Sequence, residues 1–247
     1  MAIIRNRDGK VMYEEPGKWV RTLVKEHKDN LWRADLHGQD LHDLDLSGAN
    51  LADADLEGTN LEGARLEGAN LTDADLAGAN LAHADMRSAL LEDANLNGAD
   101  MRSARLAGAN LAHADMRSAL LDRANLEGAR LKGARLYHTD MVGAVLERAN
   151  LADADLYGAC LWGADLTDAT LDRAGMQATD LTDATMDGAD MRSADLRDAY
   201  TIDDDDNRVA VTAADLKGAH LDGAALPAPV PHADGPAPDG PTPGIGI

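Results

Sequence analysis

Residues 79–91 read ANLAHADMRSALL, and residues 109–121 repeat those thirteen letters without a change. Within the phrase, Leu81, Met86 and Leu91 stand five apart, each with an alanine two places before it. Followed outward in both directions, that step runs from Leu31 to Leu196 without a miss: 34 consecutive centres, 27 of them Leu and seven Met. Alanine stands two places before the centre in 28 of the 34, the exceptions being Asp29, Gln39, Leu44, Thr59, Thr139 and Thr179. The place just before the centre favours Asp or Asn, and the place two after it is Gly in fourteen repeats.

A period of five suits neither common secondary structure. On an α-helix five residues advance about 500°, so the leucines would spiral around every side. On a flat strand an odd step places successive leucines on opposite faces. Either way half of the leucines would face water. The conflict disappears if the chain turns a corner once per pentapeptide. Ala and the centre, two apart, then share the inward side of a very short strand. The Gly, Asp or Ser two places after the centre relaxes the backbone at the corner. Leu111 is expected inside and its neighbour Ala112 outside.

The pattern A-(D/N)-L-x-G resembles the pentapeptide-repeat family over residues 29–199. The resemblance implies an all-β solenoid: a right-handed quadrilateral parallel β-helix with four pentapeptides per coil. That gives about 8.5 coils and, at about 4.8 Å per coil, a rod of about 41 Å. The family often mixes Phe with Leu at the centre, whereas this chain contains no Phe, so a slim core of Leu, Met and Ala is expected. The duplicated phrase is offset by thirty residues, or one and a half coils. Its copies therefore face opposite ways, Met86 against Met116 and Leu90 against Leu120, which marks scaffold rather than a shared binding motif.

The ends depart from the period. A stacked coil leaves an open apolar end, which solenoids cap. Residues 1–28 are expected to form that cap: two short strands around Asp8-Gly9, then a helix from Pro16 to about Lys28 with Trp19, Val20, Leu23, Val24 and His27 along one side. Residues 200–226 hold YTIDDDDNRVAVT and then Leu216, Leu221 and Leu226 in the old register, read as a degenerate or looped-out coil before a last partial one. The run Asp203–Asp206 offers oxygen ligands, but it lacks the spacing of a calcium loop and reads as a solvated turn. Residues 227–247 hold seven of the eight prolines and read as a disordered or polyproline-like tail.

Composition narrows function. The 247 residues carry 44 acids against 23 bases, a formal charge of −21, which disfavours direct binding to nucleic acid or to an anionic membrane. The single cysteine, Cys160, permits no intrachain disulfide. Early charges at Arg5, Arg7 and Asp8 leave no room for a signal peptide, and no run reaches the roughly 18 apolar residues of a membrane span. A cytoplasmic protein, bacterial or from a phage, is expected. His37, Asp40, His42 and Asp43 are the densest ligand-type cluster, but on a square coil His37 and His42 diverge, as do His83 and His113. Cys160, beside Trp162, has no base placed to activate it. No phosphate loop, nucleophile elbow or zinc motif occurs, so neither an enzyme nor a metal or cofactor is expected.

Charge and aromatic residues carry the remaining signal. Assigned by register, the four sides of residues 29–198 bear net charges of about −3, −5, −6 and −4. The acidity is interrupted at a waist, where Arg123, Arg130, Lys132, Arg135 and Arg148 accompany Tyr137, His138, Tyr157 and Trp162. A basic-aromatic patch on an acidic rod suits an unidentified protein partner. The leading expectation is a non-enzymatic interaction scaffold. The other is a DNA-mimicking modulator of a type II topoisomerase, as the resemblance to the quinolone-resistance branch implies. Duplex DNA carries about 24 charges over about 41 Å, a comparable density. Against mimicry stand the waist and the Pro/Gly tail where that branch has an apolar dimerisation helix.

Overall fold

The computed structural model describes residues 2–228. Its organising feature is a ladder of parallel β-bridges between residues twenty apart, from Asp35↔Asp55 and Asp40↔Asn60 to Asp180↔Tyr200. Twenty residues are four pentapeptides, so each coil has four sides and each residue lies over its counterpart in the neighbouring coil. From Asp35 to Asp195 the bridging residue is the one before the Leu/Met centre, and Tyr200, before Thr201, ends the ladder.

One pentapeptide, Ala109–His113, explains why the coil closes. Ala109 N–H donates to Leu106 O (2.9 Å) across the corner, and Asn110 N–H to Ala89 O (2.9 Å) in the preceding coil. Leu111 and His113 N–H donate to Arg130 O (2.7 Å) and Lys132 O (3.0 Å) in the following coil. The fifth donor, Ala112 N–H, goes to the Asn110 side-chain Oδ1 (3.3 Å). Every backbone donor is thus satisfied, as a structure without long strands or helices requires. The Asp/Asn preference follows, because these short side chains reach the N–H two residues on. The same contact recurs at Asp45, Asn70, Asn125 and Asp165, among others.

The residue two after each centre adopts positive φ at every corner from Arg33 to Asp198. A turn whose third residue alone is left-handed is of type II, which favours Gly there. Twenty of these 34 corners nevertheless carry another residue, mostly Asp, Ser, Arg or His. Ala178 (φ 57°) is the one alanine among them.

The core is a column of Leu, Met and Ala buried from Leu31 to Ala199. Gln39, Thr59, Thr139 and Thr179, which replace the inward Ala, all fall on one side because they are spaced by multiples of twenty. The three threonines are fully enclosed, and their hydroxyls donate to Leu36 O (2.8 Å), Met116 O (3.0 Å) and Leu156 O (3.1 Å). A buried hydroxyl is tolerated there because a backbone carbonyl of the preceding coil receives it.

One expectation needs correction. Ala112 lies on the outer side of the chain but is only 8% exposed, like Ala82 at 8% and Ala152 at 9%. Larger residues of neighbouring coils, Glu92 and Lys132 around Ala112, stand in the same column and shield its methyl group.

At the N-terminus, β1 (Ala2–Asn6) and β2 (Val11–Glu15) form an antiparallel hairpin, and β1 also pairs with β3 (Ala34–Asp35) of the first coil. Helix α1 spans Val20–Glu26, shorter than the Pro16–Lys28 expected, and a 3-10 turn follows at Lys28–Asn30. Gly17 at φ 80° diverts the chain, so helical bonding starts only with Thr22 N–H to Trp19 O (3.0 Å). Leu23 and Val24 are buried, whereas Trp19 is 81% exposed and does not share their side. His27 stacks on Tyr13 at 3.8 Å.

After Tyr200 the chain leaves the coil as a hairpin of β4 (Tyr200–Ile202) and β5 (Arg208–Ala210). The coil then resumes with an offset of thirty, Asp190↔His220 and Asp195↔Ala225, so ten extra residues are accommodated. In the acidic run, Asp203 Oδ1 accepts the N–H groups of Asp205 (3.0 Å) and Asn207 (2.9 Å) and shapes the hairpin turn. The tail assigned to 227–247 lies outside the described residues beyond Ala228. Among the described residues no helix is long and apolar enough to cross a membrane.

Leu111→Asp is expected to abolish cooperative unfolding at ambient temperature, since an unpaired buried carboxylate costs several kcal/mol. Glu92→Ala, on the exposed column beside it, should change stability by less than about 0.5 kcal/mol; equal thermal midpoints for the two variants would refute the register. Ala178→Gly should be stabilising by about 0.5 kcal/mol in chemical denaturation. Release of an alanine from the left-handed region gains about 1–2 kcal/mol, and the freer unfolded chain removes part of it.

Candidate partner-binding surface

Because columns repeat every twenty residues, the side on which an outward residue lies follows from its number. Tyr137 and Tyr157 follow the centres Leu136 and Leu156 in one column, and their rings stack at 5.1 Å with planes 10° apart. His138, at the adjoining corner, meets Tyr137 edge-on at 4.1 Å and Tyr157 at 5.9 Å. Its Nδ1 lies 3.2 Å from Gly158 O. Gly158 is required for that approach: a Cβ there would stand 2.5 Å from the imidazole, and φ is +63°. Both tyrosines keep about 40% of their surface exposed (39% and 41%), so the aromatic cluster faces solvent.

Arg135 precedes Leu136 on this side and lies 3.8 Å from Asp115. The rest of the waist is distributed around the rod. Arg130 and Lys132 occupy the preceding side, with Lys132 Nζ 3.9 Å from Asp153. Arg123 and Trp162 occupy the following side, where Trp162 Nε1 donates to Asp183 (3.1 Å). Arg148 lies on the fourth side, paired with Glu127 and with Glu147 (3.2 Å). The nine residues therefore form a girdle, and the structure gathers only Arg135, Tyr137, His138 and Tyr157.

The sequence reading missed what continues this column. Gln177 and Arg197 follow Tyr157 at steps of twenty and, with Asp155 and Asp198, line a groove of about 520 Å³ beside the tyrosines. Gly175 replaces the usual Asp or Asn in the bridging column, and the Gln177 and Asp155 side chains close over it: a Cβ there would stand 3.3 Å from Gln177 Oε1 and 3.7 Å from Asp155 Oδ1. The signal was present in the numbering, since 137, 157, 177 and 197 share one column.

Around the rod, aspartates before a centre pair with arginines after it: Asp85–Arg87, Asp100–Arg102, Asp115–Arg117, Asp190–Arg192 and Asp195–Arg197. The two residues flank one inward Leu/Met centre and meet through two parallel hydrogen bonds, the geometry guanidinium and carboxylate favour. At Asp195 the Arg197 guanidinium, with help from the Arg197 N–H and Gln177, holds the carboxyl at about 2.

Other candidates are placed apart. His42 Nδ1 contacts Asp40 (2.7 Å), whereas His37 lies on the adjacent side, 3.8 Å from Glu57 and 4.0 Å from Asp55. His83 and His113 occupy opposite sides. Cys160 is half-buried, and burial pushes its thiol pKa up, away from a nucleophilic thiolate.

A family model described as pentapeptide repeats matches in eight copies across residues 30–68, 69–106, 99–136, 129–168 and 163–198. Among solved structures the chain is similar to HetL, a pentapeptide repeat protein involved in heterocyst differentiation regulation from the cyanobacterium Nostoc sp. strain PCC 7120. The identity is 32%, the TM-score 0.65, and the match covers 87% of this chain and 94% of HetL. It is also similar to full-length QnrB1, a plasmid-mediated fluoroquinolone resistance protein, at 16% identity and TM-score 0.43, covering 78% of this chain and 91% of that one. No curated protein matches the sequence.

The Asp195 carboxyl is expected to titrate near 2 in the folded protein, against about 3.9 unfolded. A depressed folded value contributes stability that is complete above about pH 5 and is lost as the pH falls toward 2. In Arg197→Ala, carbon-detected titration should find the Asp195 carboxyl moved up toward its ordinary range, and the loss of stability that this group contributes below about pH 5 should shrink; an unchanged midpoint would exclude Arg197 as the cause.

Proposed function

We propose that this chain, which belongs to the pentapeptide-repeat family, is a non-enzymatic scaffold that captures a protein partner through the side bearing Tyr137, His138 and Tyr157. On this reading it is a cytoplasmic rod of about eight and a half right-handed coils, closed at the start by the hairpin and helix of residues 1–28. The observation that carries it is the stacked pair of half-exposed tyrosines in a chain with only 3% aromatic residues. Exposed aromatic residues flanked by an arginine are the side chains that dominate binding energy at protein interfaces. Backbone pairing above and below holds the tyrosines rigid, so little ordering entropy opposes binding. HetL is described as taking part in regulation, a role that a contact surface can serve without catalysis.

Mimicry of DNA remains the competing reading, supported by acidity on all four sides. The bidentate Asp–Arg pairs weigh against it, because each directs a carboxylate toward an arginine of its own repeat instead of toward a partner.

The test uses wild-type protein and the Tyr137→Ala/Tyr157→Ala double variant as immobilised baits in lysate of the native host. Prey retained by wild type is expected to fall at least about tenfold on the variant, as loss of about 1.4 kcal/mol or more at an aromatic anchor implies. Equal retention would reject this side as the interface. Purified protein is also expected not to inhibit gyrase supercoiling at concentrations where the partner binds, and inhibition by the acidic rod itself would favour mimicry.

A further inference from the structure

The charges lining the groove beside the tyrosine pair do not cancel. Its arginine, Arg197, is already engaged: Nε and Nη2 donate to Asp195 Oδ1 (2.9 Å) and Oδ2 (2.5 Å). Gln177 Nε2 donates to the same Asp195 Oδ2 at 2.6 Å. Both polar side chains that follow Tyr157 in its column are thus committed to Asp195. The groove of about 520 Å³ keeps two further carboxylates, Asp155 and Asp198, and among the described residues neither is ion-paired. Asp155 Oδ1 accepts the Tyr157 N–H (3.1 Å), which fixes the carboxylate beside the tyrosine. Arg135 bridges to Asp155 through the backbone, but its guanidinium lies toward Asp115 at 3.8 Å. Asp198 holds the exposed corner after Arg197, at φ 61°.

A docking group therefore meets two stacked rings, 5.1 Å apart with planes 10° from parallel, and two uncompensated carboxylates on a rod of formal charge −21. Guanidinium is complementary to that combination. It is planar and stacks on a tyrosine ring, whose negative face attracts the charge, while its edge donates paired hydrogen bonds to a carboxylate. An ammonium has neither the plane nor the fork. A neutral or acidic group would strip water from Asp155 and Asp198 and return nothing for it.

We propose that the partner enters this groove with an arginine side chain, its guanidinium against the Tyr137–Tyr157 pair and hydrogen-bonded to Asp155, with Asp198 as the second carboxylate. The proposal rests on the reading of this side as the partner surface and names the chemistry that surface takes. It differs from imitation of DNA, in which carboxylates on any side of the rod would serve.

Titration of the full chain with N-acetyl-Gly-Arg-Gly-amide tests the contact with no partner present. It is run at about 0.15 M salt, where exposed charges more than about 8 Å apart are largely screened. Binding is read from the Tyr157 ring and Asp155 carboxyl resonances, and peptides with lysine or citrulline in place of arginine accompany it. Two variants are compared with wild type. Asp155→Asn/Asp198→Asn neutralises the groove, and Asp73→Asn/Asp93→Asn removes the same charge from corners on another side. Asparagine keeps the fold at all four positions, because it accepts the N–H two residues on and tolerates a left-handed corner.

The arginine peptide is expected to bind wild type and Asp73→Asn/Asp93→Asn within about twofold of each other, and Asp155→Asn/Asp198→Asn about tenfold more weakly. The lysine peptide should bind wild type about threefold more weakly than the arginine peptide, and the uncharged citrulline peptide about tenfold more weakly. Equal affinity for either replacement would overturn the guanidinium. Equal weakening in the two aspartate pairs would assign the cation to the bulk charge of the rod and overturn the groove. The immobilised baits separate this proposal from the scaffold reading. Prey lost on Tyr137→Ala/Tyr157→Ala but retained on Asp155→Asn/Asp198→Asn would overturn the arginine and leave the scaffold standing, whereas prey retained on both would reject the surface itself.

Discussion

The constraint on which the rod depends is hydrogen-bond satisfaction in a backbone that turns a corner every five residues. A chain bending so often has neither a helix nor a long strand to absorb its polar groups, and exposed apolar centres would be left beside unpaired amides. Stacking at intervals of twenty solves both problems together. Four of the five donors find backbone carbonyls, one across the corner and three in neighbouring coils, and the fifth is taken by the Asp or Asn before the centre. Once that pattern is satisfied in one coil, the next coil has an identical template. The architecture therefore extends by addition, each coil contacting only its neighbours.

The interior follows from the same geometry. Four short sides enclose a narrow shaft in which one Leu or Met and one Ala per side suffice, and the absence of Phe accords with that cross-section. Where Thr replaces Ala, the hydroxyl bonds a carbonyl of the coil before it, so even the polar exceptions obey the stacking. The corners are less economical. Residues such as Arg123, His138 and Ala178 hold a conformation that glycine would adopt more easily, and the surrounding ladder enforces it.

Function is written on columns. A rod with interchangeable coils gains an individual surface only where successive outward residues depart from the repeat together, and the column through Tyr137, Tyr157, Gln177 and Arg197 does so most clearly. The loss of Asp or Asn at Gly175 belongs to the same departure, and the Gln177 and Asp155 side chains lie against that glycine. The Asp–Arg pairs act in the opposite sense, giving several repeats a self-contained charge balance.

The period and the inward register of Leu31 through Leu196 are legible in the amino-acid sequence alone, while the four-sided coil, and with it the opposite orientation of the two duplicated phrases, was implied by the resemblance to the pentapeptide-repeat family. Period and register depend on local chemistry repeated many times, so each repeat confirms the last. Tertiary structure decided what depends on neighbours twenty residues away. It shielded Ala112 between Glu92 and Lys132, brought His138 over Gly158, and spread Arg123, Arg130, Lys132 and Arg148 around the rod while keeping Tyr137 and Tyr157 in contact. It also decided the ends, where Gly17 delays the helix and a ten-residue hairpin shifts the pairing from twenty to thirty. The physical reason is that a periodic segment constrains itself, whereas side-chain contacts between coils and the breaks in the period are settled only by what stacks above and below them.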